Sequence, residues 1–298
     1  MKEQSGYLSR QKNFIFFLII FWPVSPKILA QNFPFLIGAR SWGIGNATVA
    51  GSDYMSVSDN IAGLGGVSES VAVSTYDSHF GFDGLNTLGF GAVLPISEDL
   101  TTGFTIGRFG DKLYNELAMG MGAGHRIGRV SLGLKINYLQ NAVNAPSLII
   151  SRKALVFEFG GIVQFTTNFS FGAHVFNMTQ SSYSGDYGNK VPTVLRAGFL
   201  YKPQKNMCLS AEIDKNTNLP LAVKAGLEYQ VWKMLYVRTG LSSRPLANHF
   251  GTGFKGGRFY VDYAVHTHPQ LGWSHHFSLG YSLWKRTSAG KPGDAVTE

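Results

Sequence analysis

The feature that most constrains this chain is a two-residue alternation of apolar and polar side chains, repeated in short segments from residue 69 almost to its C-terminal end. Arg129 to Tyr138 shows it plainly. Val130, Leu132, Leu134, Ile136 and Tyr138 share one face, while Ser131, Gly133, Lys135 and Asn137 share the other, as a strand between two different solvents demands. Such segments fall at about 70–79, 86–95, 101–109, 115–127, 129–141, 152–165, 168–178, 193–203, 206–214, 220–231, 233–243, 248–255, 258–268 and 273–284. They number fourteen, and most are close to the roughly 9–11 residues with which a tilted strand crosses a bilayer. Very short turns at Gly128 and Trp232 contrast with polar connections at 142–151 and 179–192.

The composition points the same way. Charged residues are 15% of the chain, glycines number 36 and aromatic residues reach 13%. An average globular protein has roughly 25% charged residues and about 7% glycine. Forty-four per cent apolar content excludes disorder. A single cysteine, Cys208, excludes a disulfide scaffold. No apolar run beyond residue 30 approaches the ~18 residues of a spanning helix. A soluble sandwich would leave many long strands with few charges on either face and would dissolve poorly. The expected fold is therefore all-β: a transmembrane antiparallel barrel of about fourteen strands over residues 69–284.

Upstream, Lys2, Arg10 and Lys12 precede the apolar block Phe14–Trp22, which Pro23 and Pro26 break. That is the pattern of a removable secretory leader over residues 1–30, with a retained anchor as the alternative. Without the leader the chain has 22 basic and 17 acidic residues, a net charge of +5 and no basic cluster. Nucleic acid is therefore not an expected partner. Residues 31–68 are rich in small residues and carry Arg40, Gly43, Gly45, Asp53, Asp59 and Asn60. They are expected to form short turns seated in the lumen as a plug, with an arm on the rim as the alternative. Residues 285–298 form a polar tail.

This segment also carries a resemblance. Gly38-Ala39-Arg40-Ser41-Trp42-Gly43-Ile44-Gly45-Asn46-Ala47, then Asp53, then Asn60-Ile61-Ala62-Gly63-Leu64, resembles the opening of the PorV/PorQ group of Bacteroidota outer-membrane barrels, relatives of the FadL fatty-acid transporters. Ile61 stands where that group usually has proline. The resemblance implies an outer-membrane location and a role beside protein export to the cell surface. One member of the group shuttles cargo in type IX secretion, through extracellular loops. Tyr183 and Tyr187, in the connection at 179–192, are accordingly expected to meet a translocon or surface-complex partner.

Strand parity places Lys135, Glu158, Arg196, Glu212, Lys224, Glu228, Arg238, Arg258 and Asp262 on the polar, lumenal face. They are expected to pair with one another or with the plug, or else to line a permeation path. Trp42, Trp232, Trp273 and Trp284 suit interfacial girdles. No catalytic or metal site is expected, and no cofactor. Gly43–Thr48 lacks the strand and helix of a dinucleotide fingerprint, no Gly-x-Ser-x-Gly elbow occurs, and alternation sends the neighbours in His275-His276 to opposite faces. Outer-membrane lipid is the one certain environment such a barrel would meet. Two functions remain open: a non-enzymatic accessory of surface export or of an outer-membrane complex, and a FadL-type transporter of hydrophobic small molecules. A greasy interior lined by residues such as Ile162 and Phe176 would favour the second, and a lumen closed by residues 38–66 the first.

Overall fold

The computed structural model describes residues 38–185 and 190–285. The expected leader, residues 31–37, Tyr187 and the tail beyond residue 285 lie outside the described residues.

Fourteen strands follow one another: β1 (Glu69–Ser78), β2 (Asn86–Pro95), β3 (Leu100–Gly110), β4 (Tyr114–Ile127), β5 (Val130–Ala145), β6 (Leu148–Thr166) and β7 (Phe169–Phe176). They continue as β8 (Val194–Gln204), β9 (Met207–Asn216), β10 (Ala222–Trp232), β11 (Leu235–Ser243), β12 (Leu246–Gly256), β13 (Phe259–His268) and β14 (Gly272–Lys285). Each pairs antiparallel with its sequence neighbour, and β1 pairs with β14, Ser74 opposite Leu279, to close the barrel. Closure leaves no free edge: every strand pairs with a neighbour on both sides, as a hydrocarbon surrounding requires.

The chain enters β1 and leaves β14 at one rim, Glu69 opposite Lys285. That lower rim carries tight turns, such as the one at Gly128, whose φ of +62° a residue with a side chain adopts at a cost. Outward positions are apolar all round: Leu88, Phe90, Phe104, Leu134, Phe199, Phe250 and Phe277 are exposed. Trp232, Trp273 and Trp284 stand exposed near the rims, as girdle residues do. Inward positions alternate with them and hold small and charged residues. The core of the molecule is thus the lumen, and residues 38–67 fill it with a short helix, Ala39–Gly43, and two 3-10 turns, Tyr54–Val57 and Ile61–Gly66.

Two expectations need correction. Residues 142–151 are not a loop: β5 and β6 run on in register, Asn141 opposite Arg152 and Ala145 opposite Leu148, so only residues 146–147 turn. Backbone pairing continues here although Leu148, Ile149 and Ile150 break the two-residue alternation and Pro146-Ser147 marks a turn. Arg258 is not lumenal either. It lies exposed in the turn after Gly257, whose φ is +58°, and parity has no meaning before the strand begins at Phe259.

Candidate functional site

The lumenal segment owes its turns to two caps. Asp53 Oδ1 accepts the Met55 N–H at 2.7 Å, and Ser56 Oγ accepts the Asp53 N–H at 3.2 Å, a reciprocal capping box. Asn60 Oδ1 accepts the Ala62 N–H at 3.2 Å, while its Nδ2 donates to Val49 O at 2.7 Å and to Ala173 O of β7 at 3.3 Å. One buried side chain thereby caps a turn and ties it to the wall.

The segment's charges meet those of the wall. Arg40 donates through Nε and Nη2 to the two carboxylate oxygens of Glu228 on β10, at 2.9 and 3.0 Å, and through Nη1 to Asp53. Glu228 also accepts from Arg238 Nε of β11 at 2.6 Å, and Arg238 Nη1 donates to Asp262 of β13 at 2.7 Å. The result is a chain of alternating sign, Asp53–Arg40–Glu228–Arg238–Asp262. Burial alone would weaken the Arg40 charge, but Asp53 and Glu228 outweigh it and hold the guanidinium well above its ordinary value.

Further round the wall, Glu212 of β9 accepts the backbone N–H groups of Thr48 and Val49, each at 2.9 Å, and Lys224 of β10 bridges Glu212 and Asp214 at 3.4 and 2.7 Å. Lys135 Nζ of β5 donates to Val57 O at 2.9 Å. Arg196 of β8 donates to the backbone carbonyl of Asp59 and to His174 Nδ1 of β7, the latter at 3.0 Å. Because Arg only donates, His174 carries its proton on Nε2 and donates a hydrogen bond through it to Glu158 of β6 at 3.0 Å. Each lumenal charge named above except Arg258 therefore engages the segment or a wall partner, and Arg40, Asp53, Asp59 and Asn60 all lie among them.

Close approach rather than water explains the small residues of the inner wall. The backbone of Ile61 lies on Gly133, Val49 on Gly172, and Ile44 on Gly226 and Gly240; a Cβ at any of these would strike it. Gly43 faces Gly251 across the same kind of contact, and Gly45, at φ +67°, packs on the backbone of Leu241 and Ala225. Lower down, Val57, Ile61, Leu64, Val67 and Val93 form a buried apolar cluster.

Three features were not read from the sequence. Trp42 is no girdle residue: it lies inside the lumen, stacked on His266 and His276 with centroids 4.7 and 4.2 Å away. His276 Nδ1 reaches Asp77 Oδ1 at 2.7 Å, so its Nε2 is left to accept from His266 Nδ1 at 2.9 Å. His266 shares parity with Asp262, and His276 with Ser278, so alternation puts both on the lumenal face; the stack on Trp42 is what it does not show. The second feature is Tyr183, which is buried with Phe176, Leu139, Val156, Val191 and Val194 in an apolar cluster near the upper rim. Its hydroxyl faces Asn141 Oδ1 at 3.4 Å, so it is not an exposed partner contact. The loop turns inward because Asn177 Nδ2 holds Val191 O at 2.7 Å, a contact no local pattern announces. The third is a small cavity of about 10 Å³ between the segment and β8–β10. Among the described residues, no group of His, Cys, Asp and Glu is arranged to hold a metal ion.

No protein-family model matches the chain, and no curated protein matches it in sequence. Solved structures share its fold. A FadL homologue of Pseudomonas aeruginosa matches with a TM-score of 0.59 at 12% identity, over 83% of this chain and 98% of that one. The toluene transporter TodX of P. putida matches with 0.62 at 10% identity, over 84% and 99%. The toluene transporter TbuX of Ralstonia pickettii gives 0.58 at 12%, over 82% and 98%. The architecture is that of the FadL-type outer-membrane barrel.

Proposed function

We propose that the chain is a non-enzymatic outer-membrane transporter of hydrophobic small molecules, with residues 38–67 as its gate. The observation that carries this reading is a divided lumen. An apolar cluster that includes Phe176 lies toward the upper rim beneath Tyr183, and below it the passage is filled by a segment seated through polar contacts and a short chain of ions. A hydrophobic guest would find its partition site in the first and its barrier in the second. That the similar barrels TodX and TbuX are toluene transporters supports the same assignment. In this reading residues 1–30 are a cleaved leader, the lower rim with its tight turns faces the periplasm, and lipid surrounds the outer wall.

Uptake of a labelled fatty acid and of toluene into vesicles containing the purified barrel tests the reading. Arg40→Ala is expected to raise uptake several-fold over the native chain. Equal, background-level uptake by both would overturn transport.

A second reading is favoured by the motif Gly38–Ala47 with Asn60–Leu64 and by the filled lumen. Here the barrel is a PorV/PorQ-like accessory of surface protein export, acting through its outer loops, among them the one holding Tyr187. Purification from native outer membranes in mild detergent separates the two readings. Stoichiometric recovery of a large translocon barrel or of surface cargo supports the accessory role; recovery of the barrel alone with bound lipid supports transport.

A further inference from the structure

The small cavity between the gate segment and the wall is lined in part by Arg40, Thr48, Asp53, Asp59, Cys208 and Glu228, and its volume of about 10 Å³ has room for one water. Two of these lining residues each carry a polar atom, Asp59 Oδ1 and Thr48 Oγ1, that is buried without a hydrogen-bond partner among the described residues. Their residues are only 3% and 5% exposed.

The surroundings leave the Asp59 carboxylate unneutralised. Ser41 Oγ donates to Oδ2 at 2.8 Å, a neutral contact. Arg196 spends its Nη2 on the backbone carbonyl of Asp59 and on His174. Arg40 is committed to Asp53 and Glu228. The groups facing Asp59 are thus Arg40 and Asp53 from its own segment, Arg196 from β8 with His174 of β7 behind it, Cys208 from β9 and Glu228 from β10. None of the cations among them forms an ion pair with it. An uncompensated carboxylate at that depth is expensive, and a proton is the smallest group that removes the cost.

We infer that Asp59 is a proton-operated latch of the gate: the seated segment carries it as the neutral acid, beside one internal water that bonds Asp59 Oδ1 and Thr48 Oγ1, and loss of that proton to solvent favours release. The inference rests on the gate reading above. Burial, and next the nearby Asp53, push the Asp59 carboxyl up to about 7, against the lowering by Arg196, the Ser41 hydrogen bond and Arg40. In the released segment the carboxyl returns to its ordinary range near ~4. The seated state therefore holds its proton where the released state has lost it. Seating is strongest below about pH 4, weakens by up to ~10-fold per pH unit toward 7, and is level above.

Cys208, on the wall beneath the segment, supplies a reporter. Its labelling by a small maleimide is measured from pH 5 to 8 in the full barrel and in Asp59→Asn, and the ratio at each pH cancels the thiol's own titration. The expected ratio, native over variant, rises roughly tenfold per unit between pH 5 and 6 and flattens above 7. A flat ratio with labelling present overturns the latch and leaves the gate reading intact. No labelling in either chain at any pH overturns both, because the segment then never leaves. Should Asp59→Asn fail to assemble, Thr48→Val replaces it. Removing the water's second partner makes ionisation in the seated state harder, so labelling must go on rising to a higher pH before it levels, while the onset stays where the released carboxyl sets it; an unmoved levelling point overturns the role of the cavity.

Discussion

The two halves of the lumenal segment are held by different physics. Residues 38–53 pack their helix against β11–β14 and fasten it by charge: Arg40 to Glu228 and Asp53, with the backbone of Thr48 and Val49 brought to the wall by Glu212. Residues 54–67 pack against β2–β6 and bury Val57, Ile61 and Leu64 on wall glycines, with Lys135 and Arg196 reaching the segment through its backbone carbonyls. Ion pairs in a buried setting lose much of their Coulomb gain to desolvation, so their net worth depends on every partner being present. Apolar contact scales with area removed from water and ignores pH and salt. The second half also runs straight into β1 at Glu69. It is the fixed base; Asp59 stands on it with its carboxyl bonded to Ser41 of the first half, and that first half is the part that charge can release.

Substitutions sharpen that contrast, beginning with the largest effect. Arg40→Ala strands Asp53 and leaves Glu228 to Arg238 alone; the pairs are half-buried, so the loss of seating approaches but does not exceed the roughly 3–5 kcal/mol of a broken buried pair. Backbone amide exchange should then accelerate over residues 38–53 while 61–66 stay protected; equal loss in both stretches would mean one cooperative unit. Leu64→Ala removes a fully buried side chain and should cost about 2–4 kcal/mol, read as faster exchange centred on 61–66 and unchanged by salt. Gly240→Ala places a methyl against the backbone of Ile44 and Gly45, costing about 1–3 kcal/mol in the first half only. Arg126→Ala, which breaks an exposed pair with Asp99 at the lower rim, should change thermal stability by less than about 1 kcal/mol. A larger effect there would show that the rim, and not the lumen, anchors the barrel.

Much of this was legible in the residues. The segments read from alternation match all fourteen strands, and parity put Glu158, Arg196, Glu212, Arg238 and Asp262 inside, because side-chain direction in a strand reverses at every residue whatever lies next to it. Where the reading failed, the cause was local. Residues 142–151 lose the alternation at Leu148-Ile149-Ile150 yet are paired, since backbone hydrogen bonding does not need a period of two in the side chains. Trp42 sits where indoles are usually interfacial by type, but its position was decided by three imidazoles from β12, β13 and β14. Tyr183 was assigned outward from loop composition, and the Asn177 hydrogen bonds fold that loop in.

By itself, then, the sequence determined strand number, the face of residues within the strands, and a lumen too polar and too small-sided to be a dry sandwich core. Partnership was decided only by tertiary structure. Arg40 and Glu228 are 188 residues apart, and Tyr54 and Asp262 are 208 apart, separations at which no spacing rule operates. They meet because closure of β1 on β14 fixes the radius of the lumen, and the inner-wall glycines let a second backbone lie within it. Alternation is a property of one strand's geometry; contact across a lumen is a property of the closed ring.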